Sequence, residues 1–350
     1  MNLFDNFYTI GTMKSHWKNI LISFCLFALG VGIGILVAQN YLQVSAKTFN
    51  MVREGGYNFI NPLLSCNYSE DVPSSKYKPI TDKLKIYIEE HISNGDAQNI
   101  SIYFRGLNSG RWSGVNENDA YSPASLLKVP LMIAYLRKID AEPSLLHKEI
   151  TYKQIKDGNT VETFKSKNFI KEGQTYSVDE LIQSMIMYSD NNAWELLQNN
   201  IDQKSVLEVY SDLGIPISEA LVEENMTPKI FSYIFRILYN ATYLSKPMSQ
   251  YALKLLNSTD FYGGLKSGVT KDAQIAHKFG ERTVFKKDSI TTNITLDFRE
   301  LHDCGIIYYP QNPYLLCVMT KGADFYKLSG IIRDISSLIY KETQSGVLKI

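Results

Sequence analysis

Apolar and polar positions divide this chain into three stretches of different character. Between Lys18 and Lys47 there is no charged residue, and Ile20 to Ala38 is almost wholly apolar. A run of that length meets the about 20 residues needed to cross a hydrocarbon core of roughly 30 Å, and it predicts a transmembrane helix over 19–39. Residues 1–18 then form a cytoplasmic tail. The competing reading is a cleaved signal peptide, whose apolar stretch runs to about 7–15 residues and ends in small side chains; length favours an uncleaved anchor. Lys14 and Lys18 before the span, against Lys47 and Arg53 farther beyond it, put the N-terminus inside by a mild positive-inside bias. Gly30 and Gly34 share the GxxxG spacing that lets two membrane helices approach, which would support a weak homodimer.

Periodicity disappears after the span and returns later. Gly55-Gly56, Asn61-Pro62 and Pro73-Ser74-Ser75 mark residues 40–79 as an extracytoplasmic tether, with an apolar patch at Phe59-Ile60 and Leu63-Leu64 expected to pack on the domain C-terminal to it. Residues 80–345 read as one domain. It opens with a helix over 81–93, its stripe made by Leu84, Tyr87, Ile88 and Ile92 and its stop by Gly95. Strands over 100–104 and 111–115 flank a turn at Leu107 to Gly110. From Ser122 to Tyr243 helical patterns dominate, and Ser177-Val-Asp-Glu180 is a capping box. Strand patterns come back over 274–279, 305–309 and 314–320. Leu328, Ile331, Ile332, Ile335, Leu338 and Ile339 then repeat at three and four, the buried face of a closing helix. This order predicts an α/β (α+β) domain whose sheet takes strands from both ends of the segment, with a helical block inserted between them.

Composition removes several classes of function. The 350 residues carry 36 Lys+Arg and 36 Asp+Glu, so there is no net charge and no basic footprint for nucleic acid. Four cysteines, Cys25, Cys66, Cys304 and Cys317, are too few for a disulfide scaffold and lack the close pairing of a zinc site.

The candidate chemistry starts at Ser122-Pro123, which reads as a helix opening with Ser as cap and Pro in the first turn. Ser125 and Lys128 come next, on one helical face. A serine hydroxyl is a poor nucleophile until a base takes its proton, and an amine serves if its site lowers the amine's pKa. Free N–H groups at a helix start can also hold a developing oxyanion. The SxxK spacing recurs at Ser15 to Lys18 and Ser75 to Lys78, so the motif alone has little weight. Order and company give it weight: Ser189-Asp190-Asn191 stands between two helices, and Lys278-Phe279-Gly280 stands on a late strand.

SxxK, then SDN, then KxG is the signature of class A β-lactamases and penicillin-binding proteins, and this chain resembles that superfamily from about Thr81 to Gln344. The resemblance implies an antiparallel sheet flanked by a helical subdomain. It assigns Ser125 as acylated nucleophile, Lys128 as its proton acceptor and Ser189 as the shuttle to the leaving nitrogen. Asn191 would hold Lys128 and the substrate amide, and Lys278 would supply positive charge. The N–H groups of Ser125 and Glu281 would form the oxyanion hole, and Gly280 would let substrate approach the strand. Asp190 reads as a helix-junction residue, and His277 as pointing off the face opposite Lys278. No metal or cofactor is implied.

Two departures qualify the expectation. Phe279 stands where the family has Thr or Ser, removing a hydroxyl that helps bind a substrate carboxylate; either the substrate differs or a group such as Arg282 takes over. The loop between Asn191 and Thr227-Pro228 is short, leaving Glu223 and Glu224 as candidate bases for deacylation. Function then divides between β-lactam hydrolysis through a Ser125 ester, D-alanyl-D-alanine carboxypeptidase or transpeptidase chemistry, and a slowly deacylating β-lactam sensor. An 18-residue tail disfavours the sensor. Cell-wall peptides and β-lactams are met outside the cytoplasm, which puts the domain on the outer side of the cell membrane. Counting outward from Pro310 and Pro313 places Cys304 and Cys317 out of register, which argues against a direct bridge; in an oxidising exterior a bridge from Cys66 to Cys304 or to Cys317 stays open, since connectivity is not deducible from sequence.

Overall fold

The computed structural model describes residues 5–44, 51–66, 73–153, 157–166, 168–215, 226–287, 294–346 and 348. Two units result, 1–50 and 51–350. Among the described residues the first is one helix, α1 (Asp5–Val44), within which Trp17–Leu36 is a 20-residue stretch of mean hydropathy 2.3. By length and composition this helix can cross a membrane, a test that a signal sequence also passes.

The second unit begins with a short antiparallel pair, β1 (Met51–Arg53) and β2 (Leu63–Cys66). Much of the expected tether therefore belongs to the domain. Phe59 and Ile60 are buried, their N–H groups donate to Gln250 Oε1 at 3.2 Å, and Tyr308 OH donates to the Phe59 carbonyl at 2.9 Å. The helix expected near Thr81 starts slightly earlier, as α2 (Lys78–Ser93), with Pro79 in its first turn, where a missing N–H costs nothing.

Strands β3 (Asn99–Gly106) and β4 (Trp112–Val115) form a hairpin. There follow α3 (Lys128–Ala141), a small ladder of β5 (Glu149–Thr151) with β6 (Thr175–Ser177), and then α4 (Val178–Met187), α5 (Asn191–Asn199) and α6 (Gln203–Asp212). The capping box at Ser177 and Glu180 is formed as expected. Helices α7 (Pro228–Asn240), α8 (Lys246–Asn257) and the single turn α9 (Gly264–Ser267) lead to β7 (Ile275–Lys287), β8 (Ile294–Ile307), β9 (Tyr314–Gly322) and the closing helix α10 (Phe325–Gln344).

Five strands make one antiparallel sheet in the order β4-β3-β9-β8-β7, so N-terminal and C-terminal strands join at the β3–β9 pairing. Side-chain alternation along β9 shows why it is central. Leu315, Cys317 and Met319 enter the core made with α3, α4, α7 and α8, while Tyr314, Leu316 and Val318 enter the core made with α2 and α10.

Two expectations change. Strands β7 and β8 run well beyond the apolar stretches that announced them, because residues 281–287 and 294–300 are charged or mixed and are held by pairing, from Glu281↔Leu301 to Lys287↔Ile294. Cys304 and Cys317 are bonded to each other. Tyr308 and Tyr309 belong to the connection instead of the strand, so β8 and β9 close at Ile307↔Tyr314 and Cys304 stands directly opposite Cys317. A bridge from either of them to Cys66 is thereby ruled out.

Candidate active site

Ser125 lies in a short 3-10 turn, Ala124–Leu127, immediately before α3. The expected cap is absent: Ser122 makes no capping bond, and its carbonyl instead accepts from His302 Nε2 at 3.0 Å. Burial lowers the His302 pKa to about 4, so the ring is neutral and its Nδ1 is free to accept from Thr320 N–H at 3.4 Å. A strand residue thus pins the start of the Ser125 turn. With three residues per turn, positions i and i+3 of a 3-10 segment eclipse, which sets Ser125 and Lys128 on one side. Ala124 has φ 47°, a left-handed conformation that is strained for a side chain bearing Cβ.

Lys128 is buried, and its ammonium is fully occupied. Nζ donates to the Ser189 carbonyl at 2.5 Å, to Ser189 Oγ at 3.1 Å and to Asn191 Oδ1 at 2.6 Å. From the other side Lys278 Nζ donates to the same Ser189 Oγ at 2.8 Å and to the Phe279 carbonyl at 2.9 Å. Ser189 therefore joins two buried lysines, and it too has a left-handed backbone, φ 55°. Desolvation lowers the Lys128 pKa to about 8, against the opposing fields of Glu162, Asp190 and Glu281. Desolvation and then the Lys128 charge hold Lys278 well below the usual lysine range.

Asp190, fully buried, caps α5 through the N–H groups of Asn192 and Ala193 and also accepts from Asn159, Ile170 and Ser184. These bonds give it the junction role expected of it. His277 pairs with Asp303 at 2.8 Å among buried residues, away from Lys278.

Gly280 shows a different reason for its size from the one expected. A Cβ there would meet the Pro123 carbonyl at 3.1 Å and the N–H groups of Ser125 and Leu126 at 3.2 Å. The close neighbour is the Ser125 turn, which the missing side chain allows to sit against β7 beside residue 281. Glu281 adds a role through its side chain: its carboxylate accepts from the N–H of Thr163, at 3.1 and 3.0 Å to its two oxygens, and of Phe164 at 2.9 Å. Phe279 is buried in aromatic packing, stacked on Phe261 at 4.1 Å with Phe164 edge-on at 6.4 Å. It lines a smaller neighbouring cavity with Phe164 and Asp260.

The loop that Glu281 clamps carries the residue that sequence reasoning missed. Residues 157–166 are stitched to the start of α5 by Asn159 and Asp157, and they place Glu162 beside Asn191, whose Nδ2 donates to Glu162 Oε1 at 2.8 Å. Burial pushes the Glu162 carboxyl up, and the Lys128 and Lys278 charges pull it down. Asp157-Gly-Asn159 is legible as a turn, but nothing in the sequence ties that turn to Asn191. Glu223 and Glu224 lie outside the described residues. Ser125, Lys128, Glu162, Asn191, Glu281 and Arg282 all line one cavity of about 750 Å³.

A model of the β-lactamase enzyme family matches residues 83–343. The chain belongs to that family. As a β-lactamase-family protein it is a serine hydrolase, with its match starting some thirty residues after the folded unit begins at Met51. No curated protein matches the chain. Several solved structures share its fold. PBP-A, as a mutant in an acyl-enzyme complex with penicillin G, is 18% identical with a TM-score of 0.62, covering 78% of this chain and 99% of that one. A β-lactamase from Xanthomonas campestris pv. campestris is 19% identical, TM-score 0.61, covering 75% and 98%. The TLA-1 extended-spectrum β-lactamase is 21% identical, TM-score 0.61, covering 75% and 99%.

Proposed function

We propose that this β-lactamase-family domain opens β-lactams by acylating Ser125 and then hydrolyses the ester, and that α1 anchors it in the cell membrane with the domain outside. The observation that carries the reading is the pair of buried lysines meeting at Ser189 Oγ, one of which, Lys128, lines the same cavity as Ser125. A Lys128 amine with a pKa of about 8 is neutral in a useful fraction near neutrality and can take the Ser125 proton. Ser125 Oγ bonds to the lactam carbonyl carbon, the ring C–N bond breaks, and the proton passes from Lys128 through Ser189 Oγ to the ring nitrogen. Lys278 donates to Ser189 throughout and offsets the charge of an anionic substrate. Arg282 lines the cavity wall and would meet the substrate carboxylate in lieu of a hydroxyl at 279. Water then cleaves the ester. The similar PBP-A structure was solved as an acyl-enzyme with penicillin G, which supports the same first step here.

Incubation with a labelled penicillin followed by mass spectrometry tests this. An adduct on Ser125 that decays rapidly supports hydrolysis, and a persistent one favours a D-alanyl transpeptidase or sensor. No adduct at all would sink β-lactam recognition.

A further inference from the structure

A cavity of about 250 Å³ that shares no residue with the Ser125 site is lined by arginines from three elements, Arg53 of β1, Arg105 of β3 and Arg236 of α7. Strand alternation puts Arg105 on the face of β3 that carries Tyr103, the face that packs with α7. Arg53 is fixed by donation to the Leu107 carbonyl at 2.7 Å, to Asn240 Oδ1 at 3.0 Å and to the Asn61 carbonyl. Arg236 lays its guanidinium 4.8 Å from the centre of the Tyr233 ring. No Asp or Glu lines this cavity, and among the described residues no carboxylate pairs with Arg105 or Arg236. All three arginines are half-buried, so a ligand can reach them from solvent. Desolvation and then the Arg105 charge hold Arg236 below the usual arginine range, the mark of like charges gathered together. An anion in the cavity would remove that repulsion and accept from the guanidinium forks.

From this we infer that Arg53, Arg105 and Arg236 form a binding site for the phosphate group of a phosphate ester, separate from the Ser125 site. A carboxylate has only two oxygens to share among three guanidinium groups, whereas a phosphate group has more acceptors and the larger charge. Met51, Leu63 and Ile237 on the same wall give the carbon next to the ester oxygen an apolar neighbour. Two sources share this chemistry. Arg53 belongs to β1, the first strand after α1 in the chain, so an anionic phospholipid headgroup is one source, and it rests on the membrane-anchor reading above. A soluble phosphate ester is the other.

Thermal unfolding of the full chain tests the site with two probes. In neutral detergent at about pH 8 the probe is glycerol 3-phosphate, compared with sodium chloride at equal ionic strength. In lipid nanodiscs it is phosphatidylglycerol, compared with phosphatidylcholine alone. The wild-type midpoint should rise saturably with glycerol 3-phosphate, by roughly 2–4 °C at about ten times the dissociation constant. R105Q removes one of the repelling charges, so its ligand-free midpoint should equal or exceed that of the wild type while most of the rise disappears. R105K keeps the charge without the fork and should retain only part of the rise. An Arg105-dependent rise with phosphatidylglycerol identifies a lipid headgroup as the source, and one with glycerol 3-phosphate alone identifies a soluble ester; either supports the site. No rise above the controls with either probe overturns the inference, a result read on the wild type even if the variants do not fold. A rise that R105Q leaves undiminished overturns it as well.

Discussion

Acylation of Ser125 should follow the titration of Lys128. Burial lowers that lysine from 10.5 to about 8, so at pH 7 about one molecule in eleven holds the neutral amine that can take the serine proton. An unperturbed lysine would offer about one in 3,000, so desolvation supplies roughly 300-fold in free base. Only the deprotonated form is a base, so activity is gained as pH rises. The acylation rate constant should climb nearly tenfold from about pH 6 to pH 7 and level off above about pH 9. Glu162 is the largest opposing influence, holding the Lys128 proton on, so E162Q should move the midpoint to lower pH. K128R keeps a permanent charge and removes the base; the rate should fall by about 10² to 10⁴ and lose this limb of the profile. Stopped-flow measurement with a chromogenic cephalosporin across this range reads all three. A flat profile in the wild type, or the same rise in K128R, would refute the assignment of Lys128 as base. Linkage has the matching sign: between about 8 and 10.5 the unfolded chain holds the Lys128 proton and the native chain does not, so this group makes stability rise with pH across that window.

Other substitutions probe the supports of the site. G280A puts a methyl at 3.1 to 3.2 Å from the backbone of Pro123, Ser125 and Leu126, and it should slow acylation at least about tenfold by shifting the nucleophile's turn, with a stability loss of about 1–3 kcal/mol in urea unfolding. F279T removes a ring stacked on Phe261 and should cost about 2–4 kcal/mol; affinity for anionic substrates should not improve, because this side chain lines the neighbouring cavity, and a clear fall in KM would contradict that placement. The double substitution C304S/C317S should lower stability by about 2–4 kcal/mol, and alkylation of the wild type with and without reductant should differ in mass by one disulfide.

Much of this domain was legible in the chain because its cues are local. The capping box at Ser177, the stripe of α10 and the apolar run of β9 each name their element from adjacent residues. The three motifs at Ser125, Ser189 and Lys278 could be found because their chemistry is written in short spacings. Where cues were absent, the reading stopped short. The outer halves of β7 and β8 carry charges and are strands only because each pairs with the other. Cys304 and Cys317 looked mismatched because the turn was centred on two prolines, whereas the actual closure at Ile307 and Tyr314 depends on strand pairing.

By itself, then, the sequence determined the apolar span, the broad order of helices and strands, and the three motifs that single out Ser125, Lys128, Ser189 and Lys278, all of which rest on neighbours within a turn or a strand. The tertiary structure alone decided what surrounds them. Burial of both amines, their meeting at Ser189, the turn of Ser125 lying against Gly280, and the carboxylate of Glu162 at the side of Asn191 join residues from 29 to more than 150 positions apart. Desolvation and hydrogen-bond geometry act through space, and a pattern read along one chain carries no record of either.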